Sequence, residues 1–157
     1  KTSIDFKVVP FQVEDGLRLK EQPLMSTGIK PVKELVAEAN KVITTLSIDK
    51  ARALQDAGDG VIIDIRDVRE LWRDGTVPGA IHMPRGMLEF WADPESPYHK
   101  AVFVSGKTLI LYCASAWRSA LATKSLQDMG VPSVAHMEGG FSAWKEQKLP
   151  IHTVSEH

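Results

Sequence analysis

The residues with chemical potential lie together in the stretch Leu109-Ile110-Leu111-Tyr112-Cys113-Ala114-Ser115-Ala116-Trp117-Arg118-Ser119. Cys113 is the only cysteine of the chain. It follows an apolar, strand-like run and precedes a helical pattern, so it falls in a short strand-to-helix loop. Such a loop can turn successive backbone N–H groups toward one point and form an anion nest. The dipole of the following helix adds positive potential there, which favours the nucleophilic thiolate. Arg118, near the helix start, adds a fixed positive charge. Ser115 and Ser119 offer hydroxyl donors, and Ala114 and Ala116 leave room for a curled backbone. By position alone a cysteine here is equally a buried core residue, because cysteine packs as a small hydrophobe. The small residues around it and Arg118 favour the nucleophile.

That loop needs a scaffold. Thr108–Tyr112 is the clearest strand, and Arg118–Met129 is a helix stopped by Gly130 and Pro132. Val61–Ile65 is a short β-branched run of the kind buried on both faces of a parallel sheet. Ala80–Met83 and Ser133–His136 read as further short strands. Helices fall between them. One has Pro31 in its first turn and Val32, Leu35, Val36, Ala39 and Ile43 at helical spacing. A second runs from an N-cap at Ser47 to about Gln55, a third over Asp67–Asp74 to Gly75, and a fourth over Arg85–Ala92. The last follows Gly139-Gly140 to about Lys148. This alternation predicts an α/β fold, a small parallel β-sheet flanked by helices on both faces. Ligands of such sheets sit outside the carboxyl ends of the strands, which is where Cys113 falls.

The bulk numbers set limits. A chain of 157 residues suits one domain with a real core. A formal net charge of -1, from 19 basic and 20 acidic residues, gives no electrostatic reason to expect nucleic acid or an anionic membrane as partner. A single cysteine excludes an internal disulfide, a CxxC redox pair and a multi-cysteine zinc site. The apolar runs are too short to span a bilayer. A cytoplasmic location is the expectation, and a removed leader stays open because the chain starts at Lys1. His82, His99, His136, His152 and His157 show no metal-ligand spacing; His82 and His136, near strand ends, read as satisfied structural groups. Met83, Met87, Leu88, Phe90 and Trp91 form an apolar cluster read as core, in a segment that can overhang the cysteine loop.

Four stretches, in order, resemble a single-domain rhodanese over roughly Ser47 to Lys148. Ile63-Asp64-Ile65-Arg66, with Glu70 following, resembles the family's D-x-R after an early strand. Gly75-Thr76-Val77-Pro78-Gly79-Ala80-Ile81-His82-Met83-Pro84 resembles its G-x-I-P-G-A-x-x-x-P stretch. Cys113 to Arg118 resembles the active loop, and Glu138-Gly139-Gly140-Phe141-Ser142-Ala143-Trp144 the closing E-G-G-x-x-x-W. The resemblance divides the chain into an N-terminal extension or arm (1–30, with a candidate strand at Phe6–Val13), a rhodanese-like domain (31–150) and a C-terminal tail (151–157).

The resemblance implies a sulfurtransferase that needs no metal or organic cofactor. Cys113 takes the outer sulfur of thiosulfate or of a persulfide donor, holds it as a persulfide among the loop N–H groups of Ala114, Ser115, Ala116, Trp117, Arg118 and Ser119, and passes it to cyanide, a thiol or a protein acceptor. Asp64, Arg66 and Glu70 are expected as supporting residues. Trp117 is either an apolar wall beside the sulfur or a packing residue of the helix. Arg118 is the only charged residue of the loop, and Glu70 stands where some members have arginine, so the site is less cationic than a dedicated thiosulfate site. Two rivals share the fold. A phosphatase or arsenate reductase of this type has five residues between cysteine and arginine, whereas four, Ala114 to Trp117, intervene here. A non-catalytic rhodanese-like binding module usually lacks the cysteine or the cradle, and this chain keeps both.

Overall fold

A computed structural model describes residues 28–156. The strand expected at Phe6–Val13, and the arm up to residue 27, lie outside the described residues. Five strands form one parallel sheet: β1 (Thr44–Leu46), β2 (Gly60–Asp64), β3 (Ile81–His82), β4 (Thr108–Tyr112) and β5 (Val134–Met137), in the order β1-β5-β4-β2-β3. Among the described residues six α-helices accompany them, α1 before the first strand, α6 after the last and the others between strands: α1 (Val32–Val42), α2 (Ile48–Asp56), α3 (Val68–Asp74), α4 (Leu88–Ala92), α5 (Trp117–Met129) and α6 (Gly140–Glu146). The α/β architecture expected from the alternation is the one observed, with shorter elements. Arg85–Ala92 divides into a 3-10 turn, Arg85–Met87, and α4.

β4 lies between β2 and β5, with Asp64 beside Tyr112 and Ile110 beside Ala135. Both faces of this centre are covered, so the strands are almost continuously apolar rather than alternating. Side chains still alternate in direction. Ile63, Leu109 and Leu111 point to a core with Leu88 and Ala92 of α4 and Ala122 and Leu126 of α5. Ile62, Ile110, Tyr112 and Met137 point the other way, to Ile48 and Ala51 of α2 and Phe141 and Trp144 of α6. Each fully buried aliphatic side chain in these layers contributes about 1.5–3 kcal/mol.

Local signals explain the helix ends. The Ser47 hydroxyl accepts from Lys50 N–H at 3.1 Å and starts α2. Asp67 caps α3 in a reciprocal box: its side chain accepts from the helix's first turn while Glu70 accepts from Asp67 N–H at 3.2 Å. Gly130, with φ of 96°, stops α5. β1 is the element missing from the sequence reading. It is three residues long and largely exposed, and it exists by pairing with β5, Thr45 beside His136. The apolar cluster expected over Met83–Trp91 splits: Met83 and Leu88 are core, while Phe90 is 56 % exposed, because α4 presents only one face to the sheet. Among the described residues no helix is long and apolar enough to cross a membrane.

Candidate active site

The site is built where β4 ends. Cys113 continues the inward direction of Leu109 and Leu111 and is 1 % exposed, packed in the core that holds Ile63, Ile65, Met83 and Leu88. α5 begins four residues later, and its N-cap, Ala116, has a left-handed φ of 73° and no side-chain cap. The first N–H groups of a helix have no intrahelical partner. Here one of them finds the sulfur: Ser119 N–H donates to Cys113 Sγ at 3.3 Å. The thiol in turn donates to Ser119 Oγ at 3.6 Å. The thiol is thus the cap that α5 otherwise lacks.

The loop is held from below by α6. Phe141 N–H donates to Cys113 O at 2.8 Å, and Ser142 N–H donates to Ala114 O at 3.0 Å. Two loop carbonyls are thereby turned toward α6 and away from the sulfur.

Arg118 does not stand free over the loop. It donates to both Glu70 oxygens, at 2.8 and 3.1 Å. The Arg118 hydrogen bond holds the Glu70 carboxyl below its ordinary range. The same bond raises the Arg118 guanidinium, with Cys113 adding a smaller contribution of the same sign. α3 and its capping box therefore fix the one charge of the loop.

Asp64 and Arg66 lie elsewhere. Alternation along β2 directs Asp64 to the α2–α6 face, opposite Ile63 and Cys113. Arg66 Nε and Nη2 donate to Asp64 at 3.0 and 2.8 Å, and Nη2 also donates to Gly75 O at 2.6 Å. Thr76 and Tyr112 hydroxyls donate to Asp64 Oδ2 at 2.7 and 2.5 Å, and Tyr112 Oη accepts from Val77 N–H at 3.0 Å. Burial pushes the Asp64 carboxyl up, but the bonds from Arg66, Tyr112 and Thr76 outweigh it and hold the carboxyl below its ordinary value. The Arg66 guanidinium stacks over Phe141 at 4.2 Å. This knot reaches the loop through Phe141 and braces it without touching the thiol.

The sequence-predicted residues thus separate. Cys113, Arg118, Ser119 and Glu70 come together. Ala114 and Ala116 shape the turn, and Asp64 and Arg66 sit behind it. Ser115 is exposed on the outside of the loop, so of the two serines only Ser119 brings its hydroxyl to the sulfur. Trp117 is 48 % exposed at the start of α5. The sequence reading missed Tyr112 and Thr76 in the knot. It also gave His136 only a structural role, whereas the ring Nδ1 lies 2.9 Å from Ser119 Oγ. The available signal was a lone histidine within the otherwise apolar strand Val134–Met137. Among the described residues no group of His, Cys, Asp and Glu could hold a metal ion.

Known proteins resemble this chain in sequence and fold. The rhodanese-like domain family matches residues 47–147. A solved protein of unknown function from Rhodopseudomonas palustris, described as a possible tyrosine phosphatase, is 51 % identical, with 80 % of this chain and 97 % of that chain covered and a TM-score of 0.75. The polysulfide-sulfur transferase homodimer of Wolinella succinogenes is 32 % identical over 80 % of this chain and 89 % of that chain, TM-score 0.59. A sulfurtransferase of Allochromatium vinosum is 28 % identical over 101 residues, 64 % of this chain and 86 % of that protein. In a Synechocystis relative, 28 % identical over 115 residues, the match spans 59 % of that protein's length. With a family match across most of its length and the cysteine loop in place at the end of β4, the chain belongs to the rhodanese-like domain family.

Proposed function

We propose that the chain moves sulfane sulfur through a persulfide on Cys113. The observation that carries this reading is the Ser119 N–H aimed at Cys113 Sγ at 3.3 Å, from the uncapped start of α5. A donor already in place for an anionic sulfur is what a thiolate and a persulfide both require. The Cys113 thiolate attacks the outer sulfur of thiosulfate, the S–S bond to the sulfonate breaks, and sulfite leaves with the bonding pair. Cys113 is left as a persulfide anion. An acceptor, cyanide or a thiolate, attacks the terminal sulfur, and the thiolate leaves. Charge balances in both steps without metal, oxidant or reductant. With one cysteine in the sequence, the acceptor comes from outside: a small thiol, cyanide or a protein. Arg118 is committed to Glu70, which favours a persulfide or polysulfide donor over the thiosulfate dianion. The relative named as a polysulfide-sulfur transferase supports that preference.

The relative described as a possible tyrosine phosphatase makes phosphate ester hydrolysis the second reading. Against it, only four residues separate Cys113 from Arg118, a narrow cradle for a tetrahedral oxyanion, and the arginine is turned to a carboxylate. The test is the intact mass of the reduced protein after excess thiosulfate, and separately after a low-molecular-weight persulfide, beside Cys113→Ser. A gain of one sulfur (about 32 Da) in the parent alone, reversed by cyanide or dithiothreitol, is the expected result. No gain from either donor, with hydrolysis of p-nitrophenyl phosphate that Cys113→Ser abolishes, overturns the sulfur reading in favour of the phosphatase.

A further inference from the structure

Behind the cysteine lies a row of polar groups that the sulfur chemistry above does not use. Ser119 Oγ is 3.6 Å from Cys113 Sγ and 2.9 Å from His136 Nδ1, and His136 Nε2 is 3.1 Å from Thr45 Oγ1. His136 and Ser119 are buried, while Thr45 is exposed on the edge strand β1. The row therefore runs from the sulfur, through the sheet edge, to the surface.

Each member has one hydrogen to give, so the row has a direction. Burial holds the imidazole below its ordinary pKa, which keeps it neutral, with one ring nitrogen donating and the other accepting. In the thiol state Cys113 donates to Ser119, Ser119 donates to Nδ1, and Nε2–H donates to Thr45. An anionic sulfur can only accept. The Ser119 hydroxyl can then turn to donate to sulfur, with its oxygen accepting from Nδ1–H and Nε2 accepting from Thr45 O–H. The charge on sulfur and the imidazole tautomer are thus coupled.

Among the described residues no charged side chain hydrogen-bonds to Ser119, His136 or Thr45, and Arg118 acts on Cys113 at the inner end. On α5, Arg118 is turned to Glu70 and Lys124 to Asp128. α1 faces α5 with Val36 and Ala39, and its Lys33, Glu34, Glu38 and Lys41 are exposed. β4 presents apolar residues, and Cys113 is the titratable group that the row meets at its inner end.

Resting on the sulfur-transfer reading, we propose that His136 is a positioning residue: in its Nδ1–H form it holds the Ser119 hydroxyl as a donor to the anionic sulfur of Cys113, and Thr45 holds that tautomer from the surface side. The hydroxyl then joins the Ser119 N–H in stabilising the thiolate and the persulfide.

The test compares His136→Leu with His136→Asn, whose amide nitrogen can stand where Nδ1 stands. Thiolate absorbance against pH and the rate of alkylation by iodoacetamide report on Cys113 whether or not the protein transfers sulfur. His136→Leu is expected to raise the pH at which the thiolate appears and to slow alkylation about tenfold at neutral pH. His136→Asn recovers most of that rate, and Thr45→Val shifts it in the direction of His136→Leu by less. A thiolate titration that is the same in parent, His136→Leu and His136→Asn overturns the proposal. If His136→Leu does not fold, Thr45→Val carries the decision, and an unshifted titration in that variant overturns the proposal too. Persulfide formation by the parent is read separately by mass, so failure of the sulfur-transfer reading is distinguishable from failure of the His136 role.

Discussion

Gly140 lies directly beneath the peptide of Cys113: a Cβ built on it would stand 2.5 Å from Cys113 O and 2.7 Å from Ala114 O. Its φ of 61° is also in the left-handed region that side chains avoid. The second glycine of the Gly139-Gly140 pair thus lets α6 reach the loop and donate from Phe141 and Ser142. Gly140→Ala must push the loop carbonyls away, and neither neighbour is a flexible side chain that can give. The expected cost is about 2–3 kcal/mol of stability, read from the urea midpoint. Persulfide formation by the folded fraction should fall with it, because the displaced peptide carries Cys113.

Glu70 joins the capping box of α3 to Arg118, and the two roles can be separated. Glutamine serves a capping box as well as glutamate does, so Glu70→Gln keeps the start of α3. It removes the negative charge that occupies Arg118. The freed guanidinium can then meet an incoming anion. Glu70→Gln should raise kcat/KM for thiosulfate by about tenfold relative to a persulfide donor, the size of one charge-assisted contact. Steady-state assays with both donors check this, and an unchanged ratio would show that the Arg118–Glu70 pair does not set donor preference.

Much of this arrangement is legible in the sequence, for physical reasons. Thr108–Tyr112 is a run of β-branched and apolar residues with turn residues before it, and a strand with both faces covered has few other ways to look. Ser47, Asp67 and Gly130 mark helix ends because orphan backbone groups need specific side chains or a left-handed residue. Cys113 is legible because strand, small-residue loop and arginine occur together. β1 is not, since Thr44–Leu46 gains its strand conformation from pairing with β5 and its own residues carry no periodicity. The Ser119–His136–Thr45 row is hidden for a related reason: its members come from α5, β5 and β1, which are adjacent only through the strand order. The Arg118–Glu70 pair likewise joins residues 48 positions apart.

The Asp64–Arg66 knot supports the loop from the face away from the sulfur, and that placement predicts a stability effect without a chemical one. Asp64→Asn leaves the Arg66 guanidinium, 1 % exposed, without its counter-charge. Removing one partner of a buried ion pair costs about 3–5 kcal/mol. Tyr112→Phe is milder, about 1–3 kcal/mol, for leaving Val77 N–H without its acceptor. Denaturation curves measure both losses. At low temperature, where each variant is still folded, the rate of persulfide formation should stay within about twofold of the parent. A larger loss in folded protein would move the knot into the chemistry.

Acid should weaken the fold in two stages, and the sign follows from the folded-state shifts. Burial lowers His136 from its ordinary 6.5, so below that pH the unfolded chain takes up a proton that the folded chain refuses. Stability from this source is complete above 6.5 and declines as pH falls toward the lowered folded value. Asp64, ordinarily 3.8, and Glu70, ordinarily 4.5, are also lowered in the folded chain, the first by bonds that outweigh its burial and the second by Arg118. Their contributions are complete above those ordinary values and are lost as pH falls through the lowered ones. Urea midpoints measured at about half-unit steps from neutral pH downward should therefore be flat, then decline, then decline more steeply. His136→Asn should abolish the first decline and leave the second. A first decline that survives His136→Asn would assign it to another group and break the link between the buried imidazole and the pH response of the fold.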